Sequence, residues 1–354
     1  MSNRGRLSAP GRLSGQPEGD GGAGTATVDR PEENHLVPSG SLRDLAMQYG
    51  LQEAAVRPPL RSYAQELWKR RYFISGFATA RNIAMYTEAR LGQLWQVLTP
   101  LLNAGVYFFI FGLLLHANRG VPNYLSFLVT GVFVFNFTQR AFISTSTVVT
   151  ESLPLIRALR FPRAALPLAY VMIELQQMAL SVVVLGVIVV CTGEPITWYW
   201  LLVIPALLLQ TVFNIGAGLA TARLGSNVND FSQLLPFLMR TWLYVSGVLF
   251  QISTLDIARR WVALLQINPA AIYITLFREA LLKSQRQSQP GAMPYNALKC
   301  AQWHHTKKPL DWSAYCAPVT NPAHYWYYAI AWAVLALVVG FFFFHRAEAK
   351  YGRG

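Results

Sequence analysis

Charge is scarce in this chain. Of its 354 residues, 13% are Asp, Glu, Lys or Arg, 53% are hydrophobic, and the mean hydropathy is +0.30. A soluble domain carries about a quarter of its residues as charges. The deficit argues against a large soluble core and for a membrane protein. Acid is scarcer than base: 17 Asp and Glu stand against 30 Lys and Arg, a formal net charge of +13. In a soluble protein that excess would suggest nucleic acid. Here the cations lie in the flanks and connections of apolar runs, where anionic lipid headgroups and membrane orientation account for them. No nucleic-acid partner is expected.

Cysteine is rare too. The three residues are Cys191, Cys300 and Cys316, with no CxxC and no Cys/His set at metal spacing. The adjacent His304 and His305 suit a solvated loop better than a shared ion, so no metal site is expected. Nucleotide-binding and hydrolytic signatures are missing: there is no GxxxxGKS/T, no GxSxG and no HExxH. No apolar run carries paired carboxylates suited to acid–base work. The chain reads as a conduit without its own engine, and no cofactor is expected on it.

The N-terminus lacks the apolar core of a signal peptide. Residues 1–55 are rich in Gly, Ser, Pro and charge, and GRLS occurs at Gly5–Ser8 and again at Gly11–Ser14. This composition predicts a disordered cytoplasmic tail.

Long apolar runs are what the chain does have. Six are long enough for a bilayer core of roughly 20 residues per helix: Val97–His116, Tyr124–Thr150, Ala165–Cys191, Trp198–Leu224, Phe231–Gln251 and Tyr325–Phe344. Isolated strands cannot satisfy their backbone in lipid. The expected fold is therefore an all-α integral membrane protein with six transmembrane helices within residues 96–350. Arg157, Arg160 and Arg163 in the second connection, Arg223 in the fourth, the C-terminal Arg346, Lys350 and Arg353 and the flanking Lys69, Arg70 and Arg71 set the orientation. Both termini then face the cytoplasm, in the inner (plasma) membrane. The long connection between runs five and six, about residues 285–324, lies outside. There Cys300 and Cys316 either join in a disulfide or stay free.

Residues 56–95 precede the first run. "LRSYAQELWKRRYFIS" sets Leu60, Tyr63, Leu67 and Ile74 near one helical face, with Trp68, Tyr72 and Phe73 of interfacial type. This predicts an amphipathic helix on the inner membrane surface; the other reading is a soluble helix packed on another subunit. Further on, "LLQINPAAIYITLFREALL" contains Asn268, Pro269 and Arg278. It is too short and too charged for two spans, so a re-entrant helix–turn–helix is expected.

Three charges fall inside runs: Arg140, Glu174 and Arg240. Each lies about ten residues from the cytoplasmic end of its run, roughly 15 Å deep, so one shared layer is expected. Either Glu174 pairs with one arginine and holds the bundle together, or the surplus arginine faces a path for an anionic group such as a phosphate. Tyr107, Phe108, Phe111, Trp242 and Tyr244 suit the C–H faces of sugars, and equally suit lipid or helix packing. "ESLPLIRALRFPRAALP", with Leu155, Arg157, Arg160, Phe161, Pro162 and Arg163, is a short basic segment bracketed by prolines. It fits a rigid knob docking on a cytoplasmic partner, or ordinary positive-inside anchoring.

Three stretches carry a family resemblance. "YTEARLGQLWQVLTPLL" supplies Leu91, Gly92, Trp95 and Pro100; "LIRALRFPRAALPLAYV" supplies Phe161, Pro162, Arg163, Leu166 and Pro167; "INPAAIYITLFREALL" supplies Asn268, Pro269 and Arg278. In this order they resemble the type-2 ABC exporter permeases for polysaccharides (O-antigen, teichoic acid and cell-wall galactan), over about residues 60–350. The tail and the Arg/Ala-rich style point to the galactan branch. The resemblance implies a homodimer with a channel between subunits. It implies two separate ATPase subunits that hold ATP and Mg, and a polyprenyl-pyrophosphate-linked glycan as substrate. Residues 151–163 would couple to the ATPase. Trp68, Arg70, Tyr72, Leu91, Gly92 and Trp95 would belong to the gate. Two departures stand out: Ser246-Gly247 where the family often has Ser-Pro, and a long outer loop. A permease for a small lipophilic compound is the alternative within transport. A membrane-embedded glycosyl- or acyltransferase should show acidic or His clusters at a membrane face, and none is seen.

Overall fold

The computed structural model describes residues 59–87, 90–114, 123–158, 161–252, 259–283 and 322–347. These residues form helices joined by short turns, without a strand among them. The predicted tail, residues 1–55, Arg160, Cys300, Cys316 and most of the 285–324 loop lie outside the described residues.

Two short helices open the described chain, α1 (Leu60–Lys69) and α2 (Arg71–Tyr86), broken at Arg70. A turn at Gly92, whose φ of +49° favours a residue without Cβ, leads into α3 (Trp95–Tyr107). A wider π-helical stretch, Phe108–Leu114, continues α3. There follow α4 (Tyr124–Glu151), the short α5 (Leu153–Ala158), α6 (Ala165–Cys191) and α7 (Val203–Asn227), the last led in by a 3-10 turn at Trp198–Leu202. The chain closes with α8 (Asn229–Val245), α9 (Arg259–Ile267), α10 (Pro269–Leu281) and α11 (Pro322–Ala347).

Among the described residues, five helical stretches are long and apolar enough to cross a bilayer: Trp95–Leu114, Tyr124–Glu151, Ala165–Cys191, Trp198–Asn227 and His324–Ala347. They match five of the six runs read from hydropathy. The remaining run, expected over Phe231–Gln251, forms a helix of 17 residues that ends at Val245. At 1.5 Å per residue that is about 25 Å, short of a hydrocarbon core of about 30 Å. The reason is local. Gly247 takes a φ of +67° and turns the chain, and a Cβ there would lie 2.7 Å from Ile252. Pro236 also sits inside α8 and leaves one helical carbonyl without its donor.

α4 is the hub. Phe127, Leu128, Val132, Phe133, Phe135 and Phe137 are buried on several of its faces. It packs against α3, α6, α7, α8 and α10. Polar links cross these contacts. Gln210 donates to the Val134 carbonyl at 2.9 Å and to Thr138 at 3.0 Å, and the Thr145 and Thr221 hydroxyls meet at 2.8 Å. Such bonds hold helices together where lipid gives no hydrophobic drive. α7 and α11 instead meet backbone to backbone: a Cβ on Gly340 would fall on the Gly216 carbonyl, and one on Gly216 would fall on Ala336.

Candidate functional site

A polar cluster forms where α2 meets the spans. Ile74, Ala78 and Asn82 recur every four residues and share the buried face of α2. The Asn82 carbonyl oxygen accepts from Gln96 of α3 and Gln177 of α6, each at 3.2 Å. Its amide donates to Gln176 at 3.2 Å, and Gln176 donates to Thr79 at 2.9 Å. One side chain of α2 thus ties two spans together. Tyr86, at the end of α2, bonds Gln177. Burial pushes its phenol above the usual range, opposed by the Arg140 charge, so it keeps its proton.

Beside this cluster lies the ion pair Arg140–Glu174, at 3.2 Å between α4 and α6. Glu174 is buried and Arg140 partly so. The expected three-charge layer is only partly formed. Arg240 lies on the exposed face of α8 and makes no ion pair among the described residues. It stands instead within electrostatic reach of Tyr107, as does the exposed Tyr244. The reason is helical phase: Leu235, Met239 and Leu243 occupy the buried face of α8, which turns Arg240 and Tyr244 outward. The other aromatic candidates pack inward. Trp242 meets Phe135 and Phe142 at ring separations of 5.9 and 5.8 Å, and Phe108 meets Tyr124 at 6.3 Å. Phe111 is half-buried against the same core.

The proline-bracketed segment packs onto α1 and α2. α5 begins at Leu153, and Leu155 packs on the cluster that holds Tyr63 and Leu166. The Phe161 ring lies 5.8 Å from Phe73, and Pro162 is buried. The Ala164 N–H donates to the Tyr63 hydroxyl at 3.0 Å. Arg81 reaches Glu151 at 3.7 Å and covers the Tyr170 ring at 5.0 Å. Arg163 is half-buried; the Arg157 side chain lies outside the described residues.

The expected gate residues are surface residues here. Trp68 and Tyr72 are 71% and 74% exposed, and Leu91 and Trp95 are exposed beside the Gly92 turn. Arg70 makes a surface pair with Glu66 at 3.8 Å. Its neighbour Arg71 organises the aromatics: it lies over Trp68 at 5.4 Å and Tyr72 at 4.4 Å, and bonds the Tyr72 hydroxyl at 3.2 Å.

Asn268, Pro269 and Arg278 form a clasp. Asn268 caps α10 by accepting from Ala270 N–H at 3.2 Å, with Pro269 at the first helical position. It also accepts from Trp242 at 2.9 Å and donates to Ser246 at 3.2 Å. Arg278 is buried. It donates to the Phe127, Gly247 and Val248 carbonyls at 3.1, 2.8 and 2.8 Å, and lies 3.3 Å over the Phe127 ring. A Cβ at Gly131 would stand 2.5 Å from this guanidinium, so glycine makes room for it. These residues hold the turn after α8 against α4. The clasp also shows what Ser246-Gly247 does: the hydroxyl meets Asn268 and the glycine makes the turn.

Sequence reading passed over Arg81, Asn82, Gln96 and Gln177. A signal existed for the glutamines, since Gln96, Gln176 and Gln177 are amides inside apolar runs.

Comparison with known proteins agrees with this architecture. The model of the ABC-2 type transporter family matches residues 76–282, more than half of the chain. The chain therefore belongs to the ABC-2 type transporter family, whose members are membrane subunits of ABC transporters. It is similar to the O-antigen export system permease protein RfbA of Myxococcus xanthus, 24% identical over 234 residues, covering 66% of this chain and 88% of that protein. It is also similar to the protein of the same name from Klebsiella pneumoniae, 26% identical over 198 residues, covering 56% and 75%.

Proposed function

We propose that this chain is the permease subunit of an ABC exporter that moves a polyprenyl-pyrophosphate-linked polysaccharide, galactan, from the inner to the outer leaflet. ATP and Mg act on a separate ATPase subunit, two of which serve a homodimer of this chain. α8 completes a set of six spans, and α9–α10 dip into the outer leaflet without crossing. Both termini face the cytoplasm. The relatives named as O-antigen export permeases support a polysaccharide substrate. The tail and the Arg/Ala-rich style favour galactan.

The observation that carries the reading is the interlock of the segment after α4 with α1 and α2. Phe161 on Phe73, Ala164 on Tyr63 and Glu151 on Arg81 join them at three points. A push from a partner on residues 153–163 would be handed to the interfacial helices. They in turn hold Asn82 between α3 and α6, beside the Arg140–Glu174 pair. The outward face of α8, with Arg240 and Tyr244, and Tyr107 beside it would line the channel between subunits. Trp68, Arg71 and Tyr72 would meet the substrate at the membrane surface. The test is depletion of the protein in its host, with membrane-bound polyprenyl-linked glycans quantified. Build-up of lipid-linked galactan on the cytoplasmic leaflet is expected. No accumulation, with altered resistance to small lipophilic compounds, would overturn the reading in favour of a drug-type permease.

A further inference from the structure

A groove of about 360 Å³ opens at one end of the bundle, between the last turns of α7 and α11. Its lining is Arg223, Val338, Val339, Phe342, Phe343 and Arg346. None of these is acidic, so two cations face the groove with no carboxylate among the described residues of its wall. The two helices run in parallel here, since Gly216 meets Ala336 and Arg223 meets Phe343 further along both. Their C-terminal turns therefore end at the same membrane face.

The two guanidiniums are held in place. Arg223 donates one N–H to the Phe343 carbonyl and lies 3.9 Å over the Phe343 ring. Its Nε is buried without an acceptor among the described residues. Arg346 lies 4.2 Å over the Phe342 ring. Each arginine thus rests on an aromatic face while the remaining N–H groups stay available. Above them runs a greasy strip. Val338, Val339 and Phe342 are exposed on α11, with Val339, Phe342 and Arg346 at helical spacing. From Val339 to Arg346 the strip covers about 10 Å along the helix.

This is the shape of a phospholipid at the edge of a bilayer: anionic head, then hydrocarbon. A phosphodiester matches a guanidinium fork, and basic pockets between spans select anionic headgroups. We propose that this groove binds one anionic phospholipid of the adjoining leaflet, its phosphate between Arg223 and Arg346 and an acyl chain along Val338, Val339 and Phe342. The lipid would join α7 to α11 at the end where Tyr63 of α1 packs on Phe341 and His345. The proposal does not depend on which polymer is carried.

The test is native mass spectrometry of the purified full-length chain, titrated with phosphatidylglycerol and, in parallel, phosphatidylcholine. One phosphatidylglycerol should be retained in preference to phosphatidylcholine. Arg346→Gln should lower that retention about five-fold and leave phosphatidylcholine unchanged. Arg223→Gln also removes the α7–α11 bond to the Phe343 carbonyl, so Val339→Trp serves as the second variant: it fills the strip and keeps both cations. It should lower phosphatidylglycerol retention by a similar factor. Equal retention of the two lipids, or retention unchanged in both Arg346→Gln and Val339→Trp, would overturn the proposal. So would displacement of the lipid by excess inorganic phosphate, which would assign the groove to a free anion.

Discussion

The two halves of the bundle are joined differently. On the side of α1, α2, α3 and α6, helices meet through side chains that exchange partners cheaply: Asn82 with Gln96 and Gln177, Arg140 with Glu174, Arg81 with Glu151. On the side of α7 and α11, they meet through bare backbone at Gly216 and Gly340. Amide and ion-pair contacts can be remade after a shift of an ångström or two. Backbone contact at glycine tolerates no such shift. The first half is suited to move and the second to stay, and the segment after α4 touches both, through Phe73 and Tyr63 on one side and the cluster that holds Phe344 and Leu219 on the other.

The contrast is broken most severely at Gly340. Gly340→Ala drives a methyl into the Gly216 carbonyl and should cost about 3 kcal/mol. The variant should lose its monodisperse peak in detergent chromatography at a temperature where wild type keeps it. A fully stable variant would show that α7 and α11 can slide. Next comes the buried pair. Glu174→Gln leaves Arg140 without its anion and should cost about 2 kcal/mol, less than a fully buried cation would, since Arg140 is partly exposed. Thermal unfolding in detergent reads this out; an unchanged midpoint would mean the pair does not hold α4 to α6. The smallest effect on stability, and the most informative, is at Arg81. Both partners of its ion pair are about half exposed, so Arg81→Gln should cost well under about 1 kcal/mol. Export of lipid-linked polymer should nonetheless slow several-fold, with ATPase activity of the assembled complex retained. Equal export in the variant would remove the ion pair from the coupling route.

Much of the fold was legible beforehand. The run at Ala165–Cys191 was read with its observed bounds, and four others within a few residues, because hydropathy over twenty residues is a local property. The shared face read from Leu60, Tyr63, Leu67 and Ile74 is formed in part: Tyr63 and Ile74 are buried, while Leu60 is exposed. The fifth run was overextended because Val248, Leu249 and Phe250 are apolar, while the turn that stops the helix rests on the φ of one glycine. The candidate residues fared unevenly for one reason. A side chain's chemistry can be read from its letter, but the face it occupies depends on neighbours far along the chain. Trp242 and Tyr244 looked alike and point opposite ways: one bonds Asn268 in the core, the other is exposed. Arg278 looked like a site residue and is tied to three backbone carbonyls.

The sequence by itself determined that this protein is a bundle of apolar helices with a basic, proline-bracketed connection. Composition, periodicity and proline geometry act within a few turns of chain. Only the tertiary structure decided which polar groups find each other. Asn82 meets Gln96 across 14 residues and Gln177 across 95, Arg278 meets Phe127 across 151, and Arg223 meets Phe343 across 120. In an apolar surround a polar group must find a partner, but nothing local says which. That choice belongs to the packing of the spans.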